Sequence, residues 1–164
     1  MSKALERVKN KIFNKNNLLE KLEIWRGENK KIVFTNGCFD LIHLGHIEVL
    51  ARSADLGDIL IIGVNTDSSI KELKGNNRPI IEENSRAQQL ASLEFVDAVI
   101  LFNEQTPLEL IKVIKPNVIT KGGDYNSEQV VGNEIAVKNE GEVIIIPLTQ
   151  GYSTTSILDK IKND

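Results

Sequence analysis

Cysteine occurs once, at Cys38, and histidine twice, at His43 and His46, in these 164 residues. A single thiol cannot close an internal disulfide. Together the three side chains fall short of the four nitrogen and sulfur ligands that a structural zinc site requires. No apolar run approaches the roughly 20 residues of a membrane-spanning helix. The start of the chain, Met1 to Arg7, has no apolar stretch of the signal-peptide kind. Basic residues are in deficit, with 20 Lys and Arg against 23 Asp and Glu, for a net charge of −3. A general affinity for nucleic acid needs a basic surface. The expectation is a cytoplasmic protein whose partners include neither nucleic acid nor a membrane. Its length suits one domain with a proper core.

What is present is concentrated between Thr35 and His46. The apolar, β-branched run Lys31 to Phe34 reads as a buried strand, and Ile47 to Ala54 carries apolar residues at helical spacing. His43 and His46 therefore stand where a strand turns into a helix, and at i and i+3 they share one face of its first turn. A helix start offers unpaired N–H groups and a positive dipole end, which suits a phosphate. Gly37 and Gly45 let the backbone approach such a ligand or take up positive φ. Other readings stand beside this one. The two histidines also fit a capping pair or two ligands of a metal, although no further histidine exists to complete a metal site. Cys38 as a nucleophile would have to use His43 or His46 as its base. Phe39 reads as a core anchor rather than a platform for a base.

Strands alternate with helices along the rest of the chain. Strands are expected at 58–65, 96–102, 117–120 and 142–147, and helices at 82–93, from Pro107 behind Thr106 as its N-cap, and from Ile157 through Ile161. That alternation implies a parallel sheet of five strands with helices on both faces. Residues 1–28 read as an N-terminal helical extension and 29–164 as the main domain. In the extension Leu18, Leu22 and Trp25 form a stripe that a small domain would cover only in part, so a homodimer is expected.

Ligands of parallel sheets lie outside the carboxyl ends of the strands, where the strand order reverses. Three polar segments follow predicted strands or open helices there. Lys74 and Arg78 flank a turn-rich stretch, with a solvated charge cluster as the alternative. Lys121-Gly122-Gly123-Asp124-Tyr125 is a second glycine loop. Ser153-Thr154-Thr155-Ser156 precedes the last helix as a set of hydroxyls, suited to an N-cap or to phosphate oxygens. Both glycine loops and the hydroxyl cluster follow predicted strands, and their convergence on one sheet edge favours a phosphate site over chance.

Asn36-Gly37-Cys38-Phe39-Asp40 followed by His43-Leu44-Gly45-His46 resembles the signature of the cytidylyltransferase-like nucleotidyltransferases, with their H-x-G-H motif. Lys74-Gly75, Arg78-Pro79, Glu94 to Asp97, Thr106-Pro107, Lys121 to Tyr125, Val131-Gly132 and Ser153 to Ser156 resemble the adenylyltransferase domain of heptose-phosphate enzymes. The resemblance covers roughly residues 28 to 162. It implies a Rossmann-like α/β fold and the transfer of AMP from ATP to a heptose 1-phosphate, giving ADP-heptose and pyrophosphate. It makes His43, His46, Lys74 and Arg78 the catalytic set. Asn36, Gly37, Cys38, Phe39, Gly45, Lys121, Gly122, Asp124, Ser153, Thr154 and Thr155 would bind the nucleotide. No protein metal site is implied, only Mg²⁺ carried by ATP, with Asp40 either touching it or serving the turn. Many relatives carry this domain behind a sugar kinase, so a separate kinase is expected to supply the sugar 1-phosphate. Ser85 departs from the Glu or Gln that often precedes the arginine at position 86. The alternatives are a cytidylyltransferase acting on glycerol phosphate or a similar alcohol phosphate, and a nucleotide-binding domain without catalysis.

Overall fold

Apolar, β-branched runs build the sheet. β2 (Ile32–Gly37) and β3 (Ile59–Asn65) lie at its centre, and β3 is buried at every position. Only strands covered on both faces can be so uniformly apolar. In the computed structural model, which describes residues 2–123, 126–149 and 151–162, four further strands join them. These are β1 (Ile12–Phe13), β4 (Ala98–Phe102), β5 (Val118–Gly122) and β6 (Glu142–Ile146). All pairings are parallel, in the order β1-β4-β3-β2-β5-β6. The sheet thus has six strands, one more than expected. The extra strand is two residues long, too short to show an alternating pattern.

Successive residues of a strand point to opposite faces, and the core divides accordingly. One side holds Phe34 with Leu18 and Leu22 of α2 (Lys15–Gly27), Ile111 of α6 (Leu108–Ile114) and Ala136 of α7 (Asn133–Lys138). The other holds Val33 with Leu50 of α3 (Leu44–Ala54) and Leu90 of α5 (Glu83–Ala91). The remaining helices are α1 (Lys3–Lys9), α4 (Asp67–Lys74) and α8 (Thr154–Lys162). No helix among the described residues is long and apolar enough to cross a membrane.

The N-terminal stripe is covered more fully than expected. Leu18 and Leu22 have no exposed surface and Trp25 keeps 6%, because α2 lies on the sheet and Phe13 meets the Trp25 ring edge-on at 6.3 Å. The chain covers this stripe itself, so the stripe supplies no reason for a second subunit. At α6 the start also shifts: Pro107 occupies the cap position and the helix begins at Leu108.

From β2 the chain builds outward through β3 and β4, then crosses back to lay β5 and β6 on the other side. Strand order therefore reverses between β2 and β5. Their ladder pairs Val33 with Val118 and Phe34 with Ile119, then stops. Just beyond, the Thr35 hydroxyl donates to the Thr120 carbonyl at 3.1 Å, and Ser53 of α3 meets the Thr120 hydroxyl at 2.8 Å. Side chains thus replace the ladder where the strands part, and Gly37 and Gly122 end up at the same sheet edge, as expected.

Arg86, buried in the interior of α5 with no exposed surface, ties that edge together. Its guanidinium donates to the carbonyls of Ile81 (2.9 Å), Cys38 (2.6 Å) and Asn65 (2.8 Å) and to the Asp67 carboxylate (2.8 Å). The helix that carries it is capped by Glu82, whose carboxylate accepts from the N–H groups of Asn84 and Ser85. Ser85 therefore leaves the helix start intact. Replacing Arg86 by Met keeps the bulk but strips partners from three carbonyls and a carboxylate. Arg86→Met should lower unfolding free energy by about 3–5 kcal/mol in denaturant titration. A loss below about 1 kcal/mol would show that the network is dispensable.

Candidate active site

At the end of β2 the chain turns through Cys38 to Ile42 and enters α3 at His43. A cavity of about 360 Å³ opens there, at the carboxyl edge of β2 and β5. His43 holds the N-cap position in extended backbone (φ −135°, ψ 172°), yet its side chain makes no capping bond. The capping reading of the histidine pair therefore fails. Instead the rings of His43 and His46 stack with centroids 3.9 Å apart and planes 22° from parallel. Phe39 meets His46 edge-on at 5.4 Å.

Gly45 is required by this stack, since a Cβ there would come within 3.2 Å of the His43 ring. Gly37 makes room in the same way for the Phe39 ring, at 3.1 Å. Neither glycine takes up positive φ. The left-handed residue is Phe39, at φ 47°, a conformation that costs about 1–2 kcal/mol in an L-residue. Burial of its ring, 8% exposed among Val33, Leu50 and Ile62, holds it there. Phe39 is thus a core anchor whose backbone faces the cavity.

Burial disfavours the charged form of both histidines. Burial pushes His46 down to about 4, with the neighbouring His43 and then Lys74 adding to the effect and the Leu41 backbone opposing it. His43 is lowered by burial. Among the described residues, the Nδ1 atoms of both rings are buried without a hydrogen-bond partner. Burial also lowers Lys121, against an opposing contribution from Cys38. Lys74 at the end of α4 and Lys121 in β5 are the two cations of the lining, and no carboxylate among the described residues joins them. The starts of α3 and α8 both contribute to the wall. A helix start carries roughly half a positive charge, so the cavity favours an anion.

Most of the expected site converges here. Asn36, Gly37, Cys38 and Phe39 line it from the β2 end, His43, Gly45 and His46 from α3, and Lys121 and Gly122 from β5. Ser153, Thr154 and Thr155 line it from the start of α8. The hydroxyl cluster lines the cavity and caps the helix at once, for Ser153 accepts from the Ser156 N–H at 3.0 Å.

Arg78 is not brought into the lining. Its Nε donates to Asp40 at 2.5 Å, and the same carboxylate accepts from the N–H groups of Ile80 (2.8 Å) and Ile81 (2.9 Å). Asp40, 2% exposed, is thus a structural tie for the 78–81 loop rather than a metal contact. Asp124 lies outside the described residues. Four lining residues had no signal in the local pattern: Val49, Leu148, Thr149 and Tyr152. Thr149 is placed by its hydroxyl, which donates to the Glu48 carboxylate of α3.

A family model described as cytidylyltransferase-like matches residues 34–160. The chain is 46% identical over 153 residues to a bifunctional protein HldE of Bradyrhizobium sp. (strain ORS 278), covering 93% of this chain and 31% of that one. It is 51% identical over 139 residues to a bifunctional protein HldE of Rhodopseudomonas palustris (strain BisA53), covering 85% and 28%. The chain therefore spans under a third of the length of these curated relatives. Among solved structures, the lipopolysaccharide core biosynthesis protein from Thermoplasma volcanium GSS1 is similar, at 31% identity and a TM-score of 0.60. The match covers 76% of this chain and 99% of that one. With the H-x-G-H pair at a strand-to-helix turn beside the switch point of a parallel sheet, the chain belongs to the cytidylyltransferase-like family.

Proposed function

We propose that this chain transfers the adenylyl group of ATP to a heptose 1-phosphate, releasing pyrophosphate and forming ADP-heptose. The observation that carries the reading is a cavity with two helix starts, two lysines, a neutral histidine pair and no described carboxylate. Similarity to proteins named HldE, and the Lys121 to Tyr125 and Ser153 to Ser156 segments, support the heptose acceptor over glycerol phosphate.

The acceptor phosphate is ionised at neutral pH, so the reaction needs no general base. It needs alignment of the nucleophile with the α-phosphorus and stabilisation of charge moving onto the leaving pyrophosphate. Neutral imidazoles keep an N–H to donate and draw no proton from substrate. His43 and His46 donate to the phosphates over the start of α3, Thr154 and Thr155 bind those lying toward α8, and Lys74 offsets the growing charge. Backbone amides around Cys38 and Phe39 complete the cradle. Magnesium would come with ATP and offset its phosphate charge, with no side chain of this chain assigned to hold it. Asp40 is already engaged by Arg78 and by the Ile80 and Ile81 N–H groups. A kinase acting on a heptose must supply the acceptor.

A pyrophosphate-release assay over ATP and CTP with heptose 1-phosphate and glycerol 3-phosphate tests the reading. ATP with the sugar phosphate should turn over fastest, and preference for CTP with glycerol 3-phosphate would favour the alternative. In the same assay His46→Ala should lower kcat about 10²–10³-fold with little change in the KM for ATP. Normal turnover per folded molecule would sink the proposed role of the pair.

Titration gives an independent check. His46 should stay neutral down to about pH 4 in the free protein, followed by NMR of its ring protons. The unfolded chain binds that proton near 6.5, so between 6.5 and 4 it holds more protons than the folded one. Stability should therefore fall as pH drops through that window. Saturating ATP should raise the His46 midpoint, because phosphate charge favours the imidazolium. A midpoint near 6.5 without ATP would contradict the buried site.

A further inference from the structure

Between β6 and α8 the chain runs along the wall of the phosphate cavity, which Leu148, Thr149 and Tyr152 line. Its apolar grip on the domain is thin. Leu148 lies over Gly122, where a Cβ would come within 3.2 Å of its Cδ2 atom, and the Tyr152 Cβ lies 3.5 Å from where a Gly45 Cβ would stand. Both side chains remain exposed. Gly151 bends the segment at φ 86°, a conformation open to glycine, and no atom lies within 4 Å of the place its Cβ would take. Among the described residues, one hydrogen bond ties positions 148, 149, 151 and 152 to another element. The Thr149 hydroxyl donates it to the Glu48 carboxylate, in the second turn of α3.

We infer that Glu48 is a positioning residue for phosphate binding, holding the start of α8 against the start of α3 through Thr149. The inference rests on the adenylyl-transfer reading above and adds to it what sets the spacing of the phosphate donors. His43 and His46 belong to the start of α3, while Ser153, Thr154 and Thr155 belong to the start of α8. The bond that joins the two spans 101 positions of sequence. Donors on two helix starts act together on one triphosphate when their separation is fixed before the ligand arrives. A segment that has to order on binding weakens affinity instead. Glu48 is not part of the cavity lining, so its influence on the ligand passes through Thr149.

The charge of Glu48 fits a tie and not a ligand contact. A carboxylate beside a cavity for phosphate opposes the ligand. The ion pair it forms with Arg52 is long, at 3.9 Å, and open to solvent, and such pairs contribute little. What an ionised carboxylate does well is accept a hydroxyl proton, more strongly than a neutral acceptor does.

Calorimetry of ATP binding, with steady-state kinetics beside it, tests this on paired variants. Glu48→Ala and Thr149→Val each remove the bond, and each should raise the Kd of ATP about tenfold, the equivalent of about 1.4 kcal/mol. The KM for ATP should rise in step while kcat stays within about threefold, the opposite split from His46→Ala. The double variant should bind ATP no more weakly than either single one, because both remove the same bond. Glu48→Gln keeps an acceptor and Thr149→Ser keeps the hydroxyl, so both should restore the Kd to within about twofold of the parent. A carboxylate acting by charge alone would make Glu48→Ala and Glu48→Gln bind ATP more tightly, and by the same factor. A tie that serves stability alone would lower the melting temperature of Glu48→Ala and leave the Kd of ATP unchanged. Either result, or additive losses in the double variant, would overturn the inference. Binding is read without acceptor, so the two levels separate. If ATP binds parent and variants equally, adenylyl transfer stands without this role for Glu48. If the parent does not bind ATP, that reading and the inference fall together.

Discussion

A guanidinium with no exposed surface is costly, and Arg86 persists because four of its five N–H donors meet oxygens of the described residues. Desolvating such a group costs several kcal/mol, offset only when geometry and partners are complete. The partners are not neighbours in sequence. One is the carbonyl of Cys38 in the turn above the phosphate cavity, another ends β3, a third opens α4, and the last starts the approach to α5. Three segments that frame the site are thereby indexed to one side chain on a helix that never touches the ligand space. The junction of β3 and α4 has further ties of its own. Asn65 donates through its amide to Ser69, and the Asp67 N–H donates to the Glu83 carboxylate. Position at the active edge is a property of this network more than of any single turn.

On the proposed reading, the site works with fixed dipoles and two lysines rather than with a titrating group. Its histidines are held neutral by burial, which keeps their N–H groups as donors across the physiological range. The arrangement has a cost in stability. Phe39 sits in a left-handed conformation that costs about 1–2 kcal/mol. Strain of this kind gathers at functional sites and is held in place by surrounding structure. Here the surrounding structure is the Phe39 ring in the core and the Arg86 bond to the next carbonyl back.

What was legible in the residues was whatever repeats locally. Buried strands announced themselves by continuous β-branched runs, and the histidine pair by its spacing at a strand-to-helix junction. Both switch-point strands were placed because each leads into a glycine loop. What was not legible depends on partners far along the chain. Arg78 in a loop looked like a ligand group and Arg86 in a helix like background, but Asp40 claims the first and four oxygens claim the second. Nothing in the spacing of Asp40 and Arg78 reveals their contact. Likewise Leu18, Leu22 and Trp25 looked half covered, because the strand that brings α2 onto the sheet, β1, is too short to leave a pattern.

That short strand has a consequence for the integrity of the sheet. β1 pairs Ile12 with Val99 and Phe13 with Ile100, so the hydrogen-bonding edge of β4 is not offered to solvent along that stretch. An uncovered edge of apolar strand is a template for adding another chain. Residues 98–100 of β4 are buried, and the segment 97–102 carries only Asp97 as a charge. The N-terminal residues thus act as a guard against edge-to-edge association, with α2 as the strap that keeps the guard in place. A chain trimmed at residue 28 would keep every residue of the phosphate cavity and present a new sticky border at the opposite side of the sheet.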